Sequence, residues 1–418
     1  MRLRRPPHVT TQTTTRMGPR PLPLHLATQT LALMSSLAAL PLLKNGSLSW
    51  NPNLASAAAE LTKAIDGIDT ESFARAVQDE ALRRLDAFTA GVKLYQASTR
   101  EPRPPEPTVI WQSGSARLLD YGDGAEADDA AQPILVIPSL VNRGYVLDLS
   151  TDRSLLRDLA GRGFRPLLMD WGVPGTGERA YSLTDYITGP LQNAFDFVTA
   201  DGAKPAVVGY CMGGNLALAL SARNRGRVGA LALLATPWDF QAGQEAYLPV
   251  LAAMAPALEA IIETLGVLPT DLLQAMFAGL NPDGVGLKFR HFATLPAGSP
   301  KAREFIALED WLNDGVPLAG PVARECLFDW YLDNTPATGH WRVAGEAVDP
   351  GTLNLPTLVI VPNDDYIVPP EGAKPLARLV PGAHLKTVKA GHIGMVAGRR
   401  ARSVLYTPLG TWLGEHLN

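Results

Sequence analysis

The stretch that decides the fold is Ala206-Val-Val-Gly-Tyr-Cys-Met-Gly-Gly-Asn215. Small and β-branched residues lead into Gly209-x-Cys211-x-Gly213, and an Ala/Leu-rich run from Asn215 to Arg223 follows. That order predicts a buried strand, a sharp turn and a helix. It is the layout of a nucleophile elbow, with cysteine where serine usually stands. The two outer glycines have a physical task. The nucleophile holds a strained backbone conformation, and side chains two residues before or after it would collide with the turn. Taken alone, the stretch also fits a strand–helix turn around a structural cysteine, because free cysteine often serves as a small core hydrophobe.

Outward from the elbow, strands alternate with helices. Upstream, strands are predicted over 108–112, 117–121, 133–138 and 165–170, with an acidic loop over 123–131 and helices over 154–162 and near 191–199. Downstream, 228–235 is another buried strand. The pattern then changes. From Pro237 to about Pro350, helical stretches (250–265 and 270–277) alternate with Gly/Pro breaks and no strand is clear. Aromatics gather there: Phe277, Phe289, Phe292, Trp311, Phe328, Trp330 and Tyr331, most of them suited to ordinary helix packing. The alternation resumes with a strand over 357–362, a helix over 372–379, a strand over 384–388 and a closing helix near 405–417. Such alternation implies a mainly parallel sheet with helices on both faces. The order is that of an α/β-hydrolase fold with an inserted helical cap. Four segments are expected: 1–105, a basic arm and helical segment; 106–236, the first part of the core; 237–350, the cap; and 351–418, the rest of the core.

The amino-terminal segment is different in kind. Residues 1–50 hold Arg2, Arg4, Arg5, Arg16, Arg20 and Lys44 and no acid, and 25–43 is uncharged and mostly apolar. A basic start before an apolar run resembles a signal peptide. This run lies late, is interrupted by Thr, Gln and Ser, and is bounded by Pro21, Pro23 and Pro41, so the expectation is a docking or surface-binding helix. The clearest helix is 70–95, where Phe73, Val77, Ala81, Leu85, Phe88, Val92 and Tyr95 share one face. Pro102, Pro104, Pro105 and Pro107 then make a stiff linker.

Composition narrows the function. A formal net charge of −4 gives no nucleic-acid footprint. Two cysteines, Cys211 and Cys326, do not make a disulfide framework and fit a reducing compartment or a catalytic thiol. No CxxC pair or histidine-rich cluster indicates a metal site.

A nucleophile of this kind needs a base, and the base needs an orienting acid, in the chain order nucleophile, acid, base. Asp364 and Asp365 follow the apolar strand Leu358-Val-Ile-Val361, and His392 follows Leu385-Lys-Thr-Val388 within Ala390-Gly-His-Ile-Gly394. Spacing alone leaves the two acids undecided, and either could be a turn former after Asn363. His384 is a rival base at the wrong end of its strand. A thiol at a helix N-terminus beside histidine loses its proton readily. Its thiolate exchanges one thioester for another at little cost in bond energy, which favours acyl transfer from a thioester such as acyl-CoA. The oxyanion would be held by the backbone N–H of Met212 and by a second N–H near Leu140–Val141, taken as Val141.

These residues resemble polyhydroxyalkanoate synthases. The box Gly-Tyr-Cys-Met-Gly-Gly is similar to theirs, as are Ile137-Pro-Ser-Leu-Val-Asn-Arg143 with Tyr145-Val-Leu-Asp-Leu149, and Met169-Asp-Trp-Gly172 with Leu183-Thr-Asp-Tyr-Ile187. Asp365-Tyr-Ile-Val-Pro369 and Gly391-His-Ile-Gly394 look like the family's acid and histidine segments, and the first selects Asp365. Trp311-Leu-Asn-Asp314 and Tyr331-x-x-Asn334 resemble cap segments. The resemblance runs from about residue 108 onward and is nearest the short, two-component class. It implies polymerisation of (R)-3-hydroxyacyl-CoA with Cys211 carrying the acyl chain, His392 deprotonating Cys211, and Asp365 orienting His392 or helping activate the incoming hydroxyl. It implies no cofactor, since the CoA thioester is substrate. As partners it implies a second synthase subunit or a homodimer and the surface of a polyester granule, in the cytoplasm. Two departures stand out: Tyr366 follows the acid where the family usually has histidine, and the amino-terminal arm is longer. The competing reading is a cysteine-dependent hydrolase, a thioesterase or dienelactone-hydrolase-like enzyme with water as acceptor. A non-enzymatic scaffold has no need of an intact Cys/Asp/His set.

Overall fold

The computed structural model describes residues 16–99, 103–122 and 131–417. The acidic loop over 123–131 (apart from Ala131), Arg2, Arg4, Arg5 and Pro102 lie outside the described residues. The chain forms two compact units: one takes the described part of 1–100 with Pro282–Asn313, the other the remainder.

The larger unit is built on an eight-stranded sheet. Its strands are β1 (Thr108–Ser113), β2 (Ala116–Asp120), β3 (Pro133–Ile137), β4 (Arg165–Asp170), β5 (Ala206–Tyr210), β6 (Ala230–Leu234), β7 (Thr357–Pro362) and β8 (His384–Val388). Their spatial order is β1-β2-β4-β3-β5-β6-β7-β8. β2 pairs antiparallel with β1 and with β4, and every other neighbouring pair is parallel. Every residue of β5, β6 and β7 is buried, as strands covered on both faces require, which is why they read as unbroken apolar runs. The chain leaves β3 toward β4 on one side and returns to β5 on the other. The carboxyl ends of β3 and β5 therefore form a topological switch point, where α/β sheets place their sites.

Differences from the sequence reading are local. The helix expected over 154–162 is Leu155–Ala160, capped by the Ser154 hydroxyl, which accepts from the Arg157 N–H at 3.0 Å. The helix expected over 372–379 is two turns, Pro370–Ala373 and Pro375–Leu379, interrupted before a proline that has no N–H to continue the ladder. Between 237 and 350 there are two-residue strand pairs, Val267–Leu268 with Leu318–Ala319 and Arg342–Val343 with Glu346–Ala347, too short to show alternation in sequence. The stretch Glu325–Leu332 is π-helical.

The smaller unit is helical. Leu22–Lys44, Ala55–Ile65 and Thr70–Ala97 are joined by Gly284–Phe292 and Pro300–Asn313 from far along the chain. Pro41 does not end the first helix but lies in its last turn. Thr70–Ala97 is capped by Asp69, which accepts from the Ser72 N–H at 2.8 Å. Its buried end, Phe88, Val92 and Tyr95, packs with Phe289, Phe292, Ala302 and Ile306. Phe88 and Tyr95 both meet Phe289 edge-on, at 6.0 and 5.9 Å between ring centres. Asp310 closes the cluster, accepting from the Tyr95 hydroxyl at 2.8 Å and from two nitrogens of Arg16 at 2.6 and 2.8 Å.

Candidate active site

Cys211 sits between β5 and the helix Met212–Arg223 with φ 56° and ψ −131°, a left-handed conformation that a side chain makes costly. Two backbone bonds hold it there: its N–H donates to Leu234 O at 2.9 Å, and Gly214 N–H donates to Cys211 O at 2.8 Å. The glycines explain the tightness. A Cβ on Gly209 would run into Gly213 and Gly214, and one on Gly213 would strike the carbonyl of Ile137 and Pro138. Gly214 is a third requirement that sequence reasoning missed, because its Cα lies against the Thr236 side chain. The approach of Gly213 to Ile137 and Pro138 sets the start of the elbow helix against the loop after β3.

His392 opens the helix His392–Ala397 after β8, and Asp365 lies in the loop after β7. The two loops are laced by backbone bonds, Asn363 N–H to Val388 O at 2.8 Å and Asp364 N–H to Ala390 O at 3.0 Å. Both side chains are buried, and Asp365 Oδ2 lies 2.7 Å from His392 Nδ1. The other carboxylate oxygen accepts from the N–H groups of Ile367 and Val368 at 2.8 and 2.9 Å, so the acid is fully engaged. Asp364 is exposed, as is His384, which starts β8 opposite Leu358. Geometry thus separates the two acids that spacing left open.

Burial pushes the His392 imidazole down. The charge of Cys211, the hydrogen bonds to Asp365 and Cys211, and the charge of Asp365 push it up more strongly, to about 10. An imidazolium is therefore the favoured partner of a Cys211 thiolate, and the amino end of the following helix adds a favourable partial charge at the sulfur. Tyr210, the unspecified residue inside the box, carries a role the motif hides. Its ring lies 5.1 Å from that of His392 and its hydroxyl donates to His392 O at 3.2 Å. Burial first, then the charges of Cys211 and Asp365, raise its phenol, so it stays neutral beside the pair.

Met212 is the first residue of the elbow helix, where backbone N–H groups have no intrahelical acceptor. The N–H of Val141 donates to Ser139 Oγ at 3.0 Å. The loop around it is anchored by Asn142, whose Oδ1 accepts from Gln274 at 2.9 Å, and by Asp314, which meets Arg143 and the Tyr145 hydroxyl at 3.2 Å each. Tyr366 is 70% exposed, so the residue that departs from the family pattern points to solvent. Among the described residues there is no group of three or more His, Cys, Asp or Glu able to hold a metal ion.

A strained thiol at a strand–helix elbow, with a buried histidine and acid on the loops after the last two strands, defines the α/β-hydrolase class. The sequence matches the α/β hydrolase fold family over residues 132–398. It is 31% identical over 345 residues to the poly(3-hydroxyalkanoate) polymerase subunit PhaC of Allochromatium vinosum, covering 80% of this chain and 92% of that one. It is 30% identical over 320 residues to the subunit of that name from Haloferax mediterranei, covering 73% of this chain and 63% of the relative's length. Among solved structures, a monoacylglycerol lipase of Paleococcus ferrophilus is similar at 16% identity and a TM-score of 0.46, covering 72% of this chain and 99% of that one. The chain belongs to the poly(3-hydroxyalkanoate) polymerase family, transferases on a hydrolase scaffold.

Proposed function

We propose that the chain is an acyltransferase that polymerises (R)-3-hydroxyacyl-CoA into polyhydroxyalkanoate, releasing CoA, through a thioester on Cys211. The observation that carries this reading is the buried 2.7 Å Asp365–His392 contact beside a thiol held at a positive φ. Cys211 Sγ, its proton passed to His392, attacks the thioester carbonyl. The oxyanion formed takes hydrogen bonds from the Met212 N–H and from the Val141 N–H, which gives up Ser139 Oγ for it. Collapse expels CoA, protonated by His392, and leaves the acyl group on Cys211. The 3-hydroxyl of another acyl unit then gives its proton to His392 and attacks that thioester, forming an ester as the acyl–Sγ bond breaks and Cys211 takes the proton back from His392. Asp365 keeps His392 in the orientation for both transfers.

The family membership and the polymerase name of the relatives support polyester as product over a free acid. The word subunit in that name supports assembly with a second synthase chain or a second copy. In this reading 106–236 and 351–418 form the core, the parts of 237–350 that belong to the same unit, 237–281 and 314–350, shape access to Cys211 as a cap, and 1–105 is an added arm with which 282–313 packs. The CoA thioester is substrate and no cofactor is assigned. The setting is the cytoplasm, at a growing polyester granule. Purified protein incubated with 3-hydroxybutyryl-CoA tests the reading. High-mass polyester with free CoA is expected, whereas CoA release with only free hydroxy acid would assign a hydrolase instead.

A further inference from the structure

The Val141 N–H lies in a stretch, 138–143, that belongs to no helix or strand. Its direction is set by what holds the residues on either side. Before it, the Trp171 indole N–H donates to Pro138 O at 3.0 Å. After it, Asn142 takes a φ of 64°, a left-handed conformation that asparagine adopts more readily than most residues but that still costs free energy. Support for Asn142 comes from 132 residues further along the chain: Gln274, buried on the helix Thr270–Leu280, donates from Nε2 to Asn142 Oδ1 at 2.9 Å. The two amides meet in a slot with no spare room. A Cβ on Gly315 would stand 2.6 Å from Thr270 Cγ2, 3.0 Å from Asn142 Oδ1 and 3.3 Å from Gln274 Nε2. Asp314 grips the same loop at Arg143 and Tyr145, but Asp314 and Arg143 are both partly exposed and water weakens their pair. The buried amide pair is the firmer hold.

We propose that Gln274 is a positioning residue for the oxyanion: its amide, seated against Gly315, holds Asn142 in the left-handed conformation and so aims the Val141 N–H at the carbonyl oxygen of the acyl thioester. The inference rests on the acyl-transfer reading. The Val141 N–H donates to Ser139 Oγ at 3.0 Å, and it turns to the substrate oxygen as negative charge develops there. A donor of this kind acts mainly on the transition state, and its effect depends on being held in place beforehand. Displacement by about an ångström is enough to lose much of it. Gln274 therefore affects the rate of acyl transfer far more than the binding of the thioester.

Two variants of the full chain test this. Gln274→Leu removes the donor at nearly the same size, and Gly315→Ala drives a methyl group between Asn142 and Gln274. In each, kcat for CoA release from 3-hydroxybutyryl-CoA is expected to fall by about tenfold or more with KM within about twofold, because the lost interaction is made in the transition state. Alkylation of Cys211 by iodoacetamide forms no oxyanion. Its rate, read by peptide mass spectrometry, is expected to stay within about twofold of the parent's, whereas general loosening of the site would lower both rates together. Circular dichroism checks that each variant is folded. Unchanged kcat in the folded variants, a raised KM with kcat unchanged, or alkylation falling in step with kcat would each overturn the proposal. A parent protein that is alkylated at Cys211 but releases no CoA would overturn the acyl-transfer reading and this inference with it, a result distinct from those three.

Discussion

The two cysteines of this chain make a natural comparison. Cys211 stands at a forced turn, partly exposed, with a helix N-terminus behind it and His392 raised to about 10 beside it. Cys326 is also partly buried, but in the π-helical stretch Glu325–Leu332. Burial first, then the negative charges of Glu325, Asp329 and Cys211, push its thiol well above the usual range. One sulfur stands beside a histidine and a helix N-terminus, and the other is buried among negative charges that suppress its ionisation. Residue type alone therefore says nothing about which sulfur reacts; the surrounding backbone and charges decide.

The largest expected effect comes from the favoured sulfur. Cys211→Ala is predicted to lower acyl transfer by about 10⁴-fold or more, because the proposed mechanism carries the acyl chain on Cys211. Thioester turnover followed by CoA release checks it, and retained activity would remove the covalent mechanism. Next, Asp365→Asn leaves an amide on His392 Nδ1, unable to stabilise the imidazolium, and is predicted to cost about 10²–10⁴-fold in kcat. Asp364→Asn, at the exposed neighbour, is predicted to stay within about twofold by the same comparison. Equal losses in the two variants would contradict the assignment of the acid.

The environment of Cys326 gives a pH prediction. Glu325 accepts from the Trp341 indole N–H at 2.9 Å, and burial, only partly offset by that bond, raises its carboxyl to about 7. A carboxyl whose folded pKa lies above its unfolded value of 4.5 holds its proton more tightly in the folded state. Folding therefore loses stability as pH rises from 4.5 to about 7, by up to about 3 kcal/mol. Glu325→Gln keeps an acceptor for Trp341 and removes the charge. Its Tm should match the parent's at pH 5 and exceed it at pH 8; an equal difference at both would show that ionisation is not the cause. The smallest effect is expected of Cys326→Ala: less than about twofold in turnover, and a loss of about 1 kcal/mol from the vacated volume.

Where the sequence was readable, the reason is local constraint. The elbow could be read because Gly209 is demanded by Gly213 and Gly214 a few residues on, although the demand on Gly213 comes from Ile137 and Pro138 on a distant loop; Asp365 and His392 could be proposed because the chain order of such sites is fixed in this fold. Asp365 could not be told from Asp364 by spacing, since the choice depends on which carboxylate receives the N–H groups of Ile367 and Val368 and which faces water. Ser139 as acceptor of the Val141 N–H, and Tyr210 as the wall behind His392, depend on loops meeting in space. The same holds for Pro282–Asn313. Its Phe289 and Phe292 look like cap aromatics in sequence, yet their partners are Phe88, Val92 and Tyr95 roughly two hundred residues earlier. π-Helical stretches such as Glu325–Leu332 have no sequence periodicity of their own to announce them.

The most direct test is to quench the protein during turnover of 3-hydroxybutyryl-CoA and map the acylated residue by peptide mass spectrometry. The account predicts a hydroxybutyryl or oligomeric thioester on Cys211 and none on Cys326. Acyl groups on Cys326, or CoA release and polyester without any acyl group on Cys211, would contradict it.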